Sequence, residues 1–548
     1  MTSAEGDIFM TTRSTGRSLK DDRKLISGAR IVSVILYVLY FVLMVITIYN
    51  KGNYHVDELL SYGLSNNHSA LATFFEDGVN YTADNDPFKE YLTADKEARF
   101  DYKMVWQNQE NDVHPPLYYA ILHTICSFFP GSFSKWYAAS INIIFALLLL
   151  FVARKTFRLL VDDELICDLF SLAFILSSGI LSMVSFLRMY VMAMFWAALL
   201  TCLIIKHVVA EPADKKGKFL FYVKVFAVAL CGALTHYYCI MFTVFMCASL
   251  SVFWIVKKKW LPVLYLVITG GLVAGGTYLI FPAFIKHMFS GYRGEESLKN
   301  MKQTPGEYWI RLKSYMNIVE SEIGGGLLGI ILAVLTLTAL LCLFQKLRKK
   351  TVFGVKGSDG YRLDVFALIF PALVLYFLFV SKSASYMESR YMSPSYAVIL
   401  ISIVALVFIL LSRLFKREHA LVILIVLLSV ICVNNWKDNN WNYLYKSFDQ
   451  IEKKAQEHRD LDAVYVYKIW WHALPSYNEL RNYRSVTFVQ EENLALLDET
   501  NIKDKDQLIV FVPDNDEQKL NDMMQHDSKL TVYEQIGRYG KSMSYYVH

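Results

Sequence analysis

Two acidic residues stand where the first long apolar run of the chain gives way to polar sequence. Asp57 and Glu58 follow the end of that run, at Tyr49, by only a few residues. A carboxylate held at a membrane surface can act as a general base that removes a proton from an attacking hydroxyl group. The structural alternative is the start of a helix, where the helix dipole favours carboxylates. The sequence makes both residues candidates for catalysis and leaves this alternative open.

A second group of polar residues occurs in the sequence NDVHPPLYY, residues 111–119. Its two prolines forbid a continuous helix and determine how the following helix begins. An aromatic belt at the membrane interface explains Tyr118 and Tyr119, but it does not explain Asp112 and His114. We therefore predict that Asp112 and His114, with Tyr118, contact a substrate.

Two arginines farther along the chain break the usual charge pattern of membrane proteins. Arg188 lies in SFLRMYV and Arg390 in ESRYMSP. Basic residues at membrane depth are costly and generally face a cavity, where they pair with an anion. Arginine suits bidentate binding of phosphate, so these arginines and their neighbours Tyr190 and Tyr391 are predicted to bind a substrate. His236, in THYY, is typical of an aromatic belt with a structural histidine, and a metal or phosphate role is also open.

Membrane-spanning helices must position these residues. Hydrophobic residues make up 55% of the 548-residue chain and its mean hydropathy is +0.32, which is too apolar for an ordinary soluble protein. A span needs about 20 mainly apolar residues, and eleven segments qualify: 28–49, 137–153, 165–183, 189–209, 218–235, 237–256, 261–283, 324–345, 364–381, 394–412 and 419–434. The predicted fold class is a polytopic α-helical membrane protein with about 11 transmembrane helices.

Clusters of lysine and arginine determine the orientation, since these residues prefer short cytoplasmic loops. Five lie in residues 1–27, which we predict to be a cytoplasmic tail before a retained signal anchor. With eleven spans in the transmembrane domain, residues 28–435, every later cluster is also cytoplasmic. The stretch 116–129 is too short to cross and is predicted to lie in the outer interface. The first outer loop is then 50–136, and all the candidate residues face outward.

The remaining hydrophilic region, residues 436–548, is predicted to be a small extracytoplasmic α/β domain. Its β-rich stretches alternate with polar helical patterns near 447–460 and 470–482. The β-rich stretches are 463–467, 485–489, 508–512 and 543–547.

An outward-facing site has no supply of ATP or nucleotide sugars, so an enzyme there needs a substrate that carries its own activation. A lipid phosphate fits this requirement. If the phosphate carries a sugar, the leaving group is already a stable anion, and one base suffices where glycosidases use two carboxyl groups. Asp57 would then deprotonate an acceptor hydroxyl while Arg390 offsets the charge on the departing phosphate.

Four motifs in this order on one face resemble the membrane-embedded glycosyltransferases of the C superfamily, over about residues 28–434. The motifs are VDE after the first span, HPPLYY in the first outer loop, RMY at a later outer turn and RYMSP near the last spans. The chain is similar to the bacterial relatives of dolichyl-phosphate-mannose protein mannosyltransferases and of lipid A aminoarabinose transferases.

The resemblance implies inverting transfer of a sugar from a polyprenyl phosphate to a lipid or cell-surface glycan acceptor, in the cell membrane. It matches Asp57 to the family's catalytic aspartate, with Glu58 adjacent, gives Asp112 and His114 to the sugar and acceptor pocket, and gives Arg390 to the lipid phosphate. Some members use a divalent metal near the carboxylates. This sequence has no clear metal-ligand spacing, so a metal cofactor is left undecided.

A transporter or flippase of lipid-linked sugars is the alternative function. It would need polar groups across the membrane midplane and inverted repeats, whereas the charges here gather at one edge and no repeat is visible. The net charge of +5 gives no indication of a nucleic-acid partner.

Overall fold

The computed structural model describes residues 19–333, 336, 363–437, 448–499, 505–513, 518, 520–521, 530 and 532–548. Within them, eight helical segments are long and apolar enough to cross a membrane. These segments are Ile31–Tyr49, Lys135–Leu160, Tyr190–Val209, Tyr237–Val256, Trp260–Ile280, Leu363–Ser383, Ser389–Leu414 and Arg417–Lys437. They coincide with eight of the eleven predicted spans.

The other three predicted spans have different outcomes. The span at 165–183 is two helices, Glu164–Ile175 and Ser178–Ser185, bent by 50° at the break between them. The span at 218–235 forms the helix Lys215–Ala233, but its four lysines, three of them in the first turn, make it too polar to qualify by composition. Half of the span at 324–345 lies outside the described residues. The count of eleven therefore stays a prediction.

Helices α1–α15 occupy the first part of the chain. They are α1 Leu19–Tyr49, α2 Val56–Asn66, α3 Pro87–Leu92, α4 Tyr102–Asn111, α5 Leu117–Phe128, α6 Lys135–Leu160, α7 Glu164–Ile175, α8 Ser178–Ser185, α9 Tyr190–Val209, α10 Lys215–Ala233, α11 Tyr237–Val256, α12 Trp260–Ile280, α13 Ala283–Phe289, α14 Tyr292–Asn300 and α15 Pro305–Val319. The 12-residue helix α5 is the stretch predicted to be too short to cross.

The later helices are α16 Phe366–Ser383, α17 Ser389–Met392, α18 Tyr396–Leu414, α19 Arg417–Lys437, α20 Phe448–Glu457 and α21 Tyr477–Leu480. The one-turn helix α17 carries Arg390, and Pro394 follows it at the start of a short 3₁₀ turn that leads into α18. Proline fits the start of a helix because its missing N–H would have no partner there. The motif RYMSP thus places an arginine just before the N-terminal end of a long apolar helix.

A six-stranded sheet forms the C-terminal region, with strand order β1-β3-β2-β4-β6-β5. The strands are β1 Asn80–Tyr81, β2 Asp462–Tyr467, β3 Ser485–Gln490, β4 Leu508–Pro513, β5 Tyr533–Tyr539 and β6 Ser542–Val547. Strand β2 is parallel to β3 and β4, and the other pairs are antiparallel. The four predicted strands are all present. The edge strand β5 was not predicted because its first three residues are exposed and it lacks a clear apolar alternation.

The segment predicted to be the first outer loop, residues 50–136, packs directly on the C-terminal region. Strand β1 of the loop adds to the sheet beside β3, and Phe75 stacks on Phe488 with 4.0 Å between ring centroids. Asn478 of α21 donates a hydrogen bond to the backbone carbonyl of Gly52 at 2.5 Å. The Gly52 contact holds the segment that leads into α2, the helix that carries Asp57 and Glu58, and the other two contacts hold the segment that follows α2.

Candidate active site

The helix that carries the two acidic residues begins with a capping box. His55 is the N-cap of α2, and its Nδ1 accepts a hydrogen bond from the Asp57 backbone N–H at 3.1 Å. Oε2 of Glu58 accepts in return from the His55 backbone N–H at 2.7 Å. The structural explanation for a carboxylate at a helix start therefore applies to Glu58, whereas the cap does not use the carboxylate of Asp57.

Arg188 lies against the same helix and is only 2% exposed. Its Nη1 donates to the backbone oxygen of Asp57 at 2.6 Å and to Oγ of Ser61 at 2.9 Å. Its Nη2 donates to Nε2 of His114 at 3.2 Å. Ser61 stands one helical turn after Asp57, so both acceptors lie on one face of α2. Arg188 thus joins α2 to the HPPLYY segment.

Arg390 completes the centre from a distant part of the sequence. Its Nη1 lies 2.5 Å from Oδ2 of Asp57, and its Nε lies 2.8 Å from a carboxylate oxygen of Glu388. The backbone around it is fixed by two buried tyrosines: the Tyr396 hydroxyl donates to the carbonyl of Ser389, and the Tyr376 hydroxyl donates to the carbonyl of Tyr391. We name Asp57, Arg188 and Arg390 the carboxylate–arginine centre.

The charges of this centre keep Asp57 ionised. Burial acts to raise the pKa of the Asp57 carboxyl, but the guanidinium groups of Arg188 and Arg390 outweigh burial and hold that pKa well below its ordinary value. The Asp57 side chain is nevertheless 26% exposed, so its carboxylate is accessible. The centre therefore presents an anionic proton acceptor beside two fixed positive charges.

His114 and Asp112 form a pair beside the centre. Nδ1 of His114 is 2.8 Å from Oδ2 of Asp112. Because Nε2 accepts from Arg188, the proton of the imidazole resides on Nδ1, which donates to Asp112. Burial lowers the pKa of His114 even though the Asp112 charge opposes it. His114 is therefore a neutral group held in one tautomer.

A row of rings runs from the centre toward α16 and α17, and we name it the aromatic wall. Phe186 stacks on Tyr190 at 5.4 Å, and Tyr190 lies 5.4 Å from His236. His236 stacks on Tyr238 at 5.4 Å, and Tyr238 lies 5.5 Å from Tyr391. The wall thus contains three predicted site residues. His236 also caps α11 by accepting from the Tyr238 backbone N–H, which is the structural role the sequence favoured.

Tyr118 takes a place deeper in the protein. Its ring is fully buried and meets Tyr119 edge to face at 5.9 Å, and Tyr119 in turn lies 6.3 Å from His114. Among the described residues, no hydrogen-bond partner is found for the Tyr118 hydroxyl. Tyr118 therefore supports the HPPLYY segment from behind, and its role in binding stays a prediction.

Three histidines around the centre are expected to make the folded state sensitive to acid. Burial lowers the pKa of His55 to about 4 and also lowers the pKa values of His114 and His236. The unfolded chain binds protons at these histidines near their ordinary pKa of about 6.5, whereas the folded chain does not. The contribution of these histidines to stability is therefore complete above about pH 7, and it is lost as the pH falls from about 6.5 toward the folded-state pKa values, about 4 for His55.

The measurement is thermal unfolding of the detergent-solubilised protein at several pH values. We expect the melting temperature to fall by about a few degrees between pH 7.5 and 5.5. The variant His236→Asn, which keeps a capping side chain, should show a smaller fall. An acid sensitivity that is unchanged in this variant would contradict the contribution of His236.

Glu58 is enclosed by donors from three segments. Its Oε2 accepts from the His55 N–H. Its Oε1 lies 3.0 Å from Nζ of Lys51 and accepts from the Leu187 backbone N–H at 2.7 Å. Both Glu58 and Lys51 are almost completely buried. This geometry favours a positioning role, because Glu58 holds the backbone just before Arg188 against the start of α2. The catalytic role that the sequence suggested for Glu58 stays a prediction.

Neutralising Glu58 is expected to destabilise the protein strongly. The variant Glu58→Gln leaves the Lys51 ammonium buried without its carboxylate, and breaking a buried pair in this way costs about 3–5 kcal/mol. Thermal unfolding measures the loss. The matched control is Glu90→Gln, the same substitution at an exposed glutamate of the same loop. Equal melting temperatures for the two variants would show that the pair does not stabilise the fold.

Some residues of the site were not predicted from the sequence. Ser61, His55 and Lys51 contact the centre or Glu58, and Glu388 was noted only as a neighbour of Arg390. The spacing of four between Asp57 and Ser61 was a usable signal, since it places both on one helix face. No local pattern indicates the buried ion pair of Lys51.

The donor set does not fit a divalent metal. In the part of the chain that the structure describes, no group of three or more histidine, cysteine, aspartate or glutamate side chains could hold one. The Asp57 carboxylate instead faces two guanidinium groups, which repel a cation, and Asp112 is paired with His114. We therefore derive no step through a metal.

Comparisons with known proteins place this geometry in a known fold. No family model and no curated protein matches the chain. Among solved structures, it is similar to ArnT from Cupriavidus metallidurans bound to undecaprenyl phosphate, with a TM-score of 0.52 at 10% identity over 94% of this chain and 97% of that chain. The apo state of ArnT matches with a TM-score of 0.50 at 9% identity over 96% and 98% of the two chains.

A third similar structure is the oligosaccharyltransferase of Archaeoglobus fulgidus in complex with Zn and sulfate, with a TM-score of 0.45 at 11% identity over 93% of this chain and 72% of that chain. The likeness to ArnT shows that this chain shares its fold, and it confirms at that level the resemblance seen in the motifs. Together with the eight apolar helical segments, it identifies a multi-pass membrane protein.

Proposed function

We propose that this protein is a glycosyltransferase that moves a sugar from a polyprenyl-phosphate donor to an acceptor hydroxyl group at the outer face of the membrane, with inversion. The observation that carries the proposal is the 2.5 Å contact between the Asp57 carboxylate and Arg390, with Arg188 held against the backbone of Asp57. A base and two phosphate-binding side chains thus come together from three distant parts of the chain. The fold shared with ArnT, a protein crystallised with undecaprenyl phosphate, supports a donor of this class.

The reaction uses the centre as follows. The acceptor hydroxyl attacks the anomeric carbon, and its proton passes to the carboxylate of Asp57. The bond between the anomeric carbon and the phosphate oxygen breaks, and the polyprenyl phosphate leaves with the bonding electrons. Arg390, with Arg188 nearby, offsets the negative charge that develops on this phosphate. Since the phosphate leaves as an anion, the reaction needs no acid to protonate it.

The neighbouring groups suit a sugar. The aromatic wall offers the partly exposed rings of Tyr238 and Tyr391 as an apolar surface for the face of a sugar ring. Asp112 and His114 lie on the other side of Arg188, where their polar atoms can orient hydroxyl groups. Specificity for the sugar would come from this pair and from the wall.

The domain arrangement follows from the same proposal. Residues 1–27 are a cytoplasmic tail, residues 28–435 hold the transferase site, and residues 436–548 form an extracytoplasmic domain. The contacts of Gly52 with Asn478 and of Phe75 with Phe488 support this arrangement, because they put the sheet on the same side as α2. The domain would brace the loop that carries the base.

The test uses full-length protein in liposomes that contain a polyprenyl-phosphate sugar labelled in the sugar. Water serves as a slow acceptor, so release of labelled sugar reports cleavage at the anomeric carbon before the natural acceptor is known. Release above that of protein-free liposomes supports a transferase, and added membrane lipids or envelope glycans then identify the acceptor. Movement of the labelled lipid between leaflets with no cleavage would instead indicate a flippase and would overturn the proposal.

A further inference from the structure

Of the two arginines in the carboxylate–arginine centre, Arg390 can exchange its binding partners more easily. Arg188 donates to a backbone carbonyl, a serine hydroxyl and an imidazole, and such neutral partners fix its position. Within the described residues, the Arg390 guanidinium makes ionic contacts with Asp57 and Glu388 and a cation–π contact with the ring of Tyr391. Its backbone is anchored separately, so its side chain can change partners while α17 stays in place.

The two carboxylates that contact Arg390 disfavour the binding of another anion there. Arg390 carries one positive charge and is already shared by two carboxylates. A phosphate group that joined them would add negative charge to a buried guanidinium whose charge is already balanced. Binding of the phosphate is therefore favourable only if one carboxylate gives up its bond to Arg390.

The geometry of the proposed reaction identifies Asp57 as the carboxylate that moves away. In an inverting displacement, the acceptor oxygen and the departing phosphate oxygen lie on opposite sides of the anomeric carbon. A base beside the acceptor cannot also lie 2.5 Å from the nitrogen that binds the phosphate. Glu388 is 42% exposed and contacts Nε of Arg390, whereas Asp57 occupies Nη1, so Nη1 can be released without breaking the contact of Glu388.

We infer that Asp57 occupies the phosphate position on Arg390 in the unliganded protein, and that the phosphate of a polyprenyl-phosphate lipid displaces it. Arg390 then binds the phosphate through Nη1, and Asp57 becomes an unpaired carboxylate facing the acceptor. The base is thus formed only when the donor is bound. This inference depends on the proposed function for the identity of the lipid, but its test does not require catalysis.

The consequence for catalysis is an increase in basicity on donor binding. Arg390 is one of the charges that hold the pKa of Asp57 far below its ordinary value, after the opposing effect of burial. Transfer of Arg390 to the phosphate removes that stabilisation, so the pKa of the Asp57 carboxyl rises at the moment when a proton must be accepted. In the protein without donor, Asp57 would then be only a weak base.

The test is the affinity of undecaprenyl phosphate for full-length protein in detergent, measured by native mass spectrometry or thermophoresis. Since Asp57 competes with the phosphate, we expect Asp57→Asn to bind the lipid about tenfold more tightly than the wild type. Asp57→Ser should show the same direction, which keeps the test available if one variant folds poorly. Glu388→Gln should change the affinity by no more than about twofold, because that carboxylate is partly solvated.

Two controls separate competition from an unspecific effect. The double variant Asp57→Asn/Arg390→Gln should bind no more tightly than Arg390→Gln alone, because the gain acts through Arg390. Undecaprenol, which lacks the phosphate, should bind the wild type and Asp57→Asn equally. Weaker or equal phosphate binding by both Asp57 variants, a larger gain for Glu388→Gln, or an equal gain for undecaprenol would each overturn the inference.

The outcome also separates this inference from the proposed activity. Tighter phosphate binding by Asp57→Asn with no cleavage of a sugar donor by the wild type would leave the exchange intact and refute the transferase. Cleavage by the wild type with no gain in phosphate affinity for either Asp57 variant would refute the exchange alone.

Discussion

Asp57→Asn is expected to lower sugar transfer by about a hundred- to ten-thousandfold, the range that a positioned general base contributes. The carboxamide keeps the shape and can still accept a hydrogen bond from Arg390, but it cannot accept a proton at neutral pH. The measurement is release of labelled sugar from a polyprenyl-phosphate donor by full-length protein. Glu97→Gln is the matched control, because Glu97 is an exposed carboxylate of the same outer loop.

The variant must be shown to be folded for this result to count. Asp57→Asn should elute as one species and bind undecaprenyl phosphate, since its phosphate-binding arginines are intact. Activity within about threefold of the Glu97→Gln protein would show that Asp57 is not the base, whatever the position of its carboxylate.

Arg390→Gln is the second large effect. Removing a charge that stabilises the departing phosphate costs about a hundred- to a thousandfold in rate, and it leaves Asp57 without its 2.5 Å partner. We expect loss of both sugar transfer and phosphate affinity. Arg390→Lys should lie between this variant and the wild type, because lysine restores the charge but not the planar, bidentate geometry.

Lys382→Gln serves as the control for a lost positive charge near the C-terminal end of α16, where Lys382 lies over the ring of Tyr308 instead of in the centre. Equal losses for Lys382→Gln and Arg390→Gln would mean that Arg390 contributes only to the overall surface charge. A fully active Arg390→Gln protein would remove Arg390 from the proposed mechanism.

The apolar helices could be predicted from the sequence because length and composition alone determine whether a helix can span. The break in 165–183 was not predicted: Leu176 and Ser177 between the two helices include neither proline nor glycine, and the only local signal is the stretch Ser177-Ser178-Gly179 at the start of the second helix. The core strands of the C-terminal sheet were predictable from their β-branched and aromatic residues. Strand β1 was not, because two residues of the first outer loop form it only by pairing with β3, more than 400 positions away.

For the site too, features set by local sequence could be predicted and features set by contacts between distant segments could not. The residue types and the outward side of Asp57, Arg188 and Arg390 indicated a phosphate chemistry before any geometry was known. The different positions of Asp57 and Glu58 could not be predicted, because adjacent acidic residues look equivalent until the capping box and the Leu187 N–H enclose one of them. Local patterns do not report such long-range partners.

The proposed reaction requires that the donor phosphate and the acceptor meet at the carboxylate–arginine centre. The structure of the inactive Asp57→Asn protein with a polyprenyl-phosphate sugar bound, determined by cryo-electron microscopy, tests this claim most directly. The expected result is a phosphate within about 3 Å of the Arg390 guanidinium, with the anomeric carbon of the sugar facing residue 57. A donor phosphate bound instead at the opposite ends of the spans, beside the basic residues Arg154 and Arg158, would contradict it.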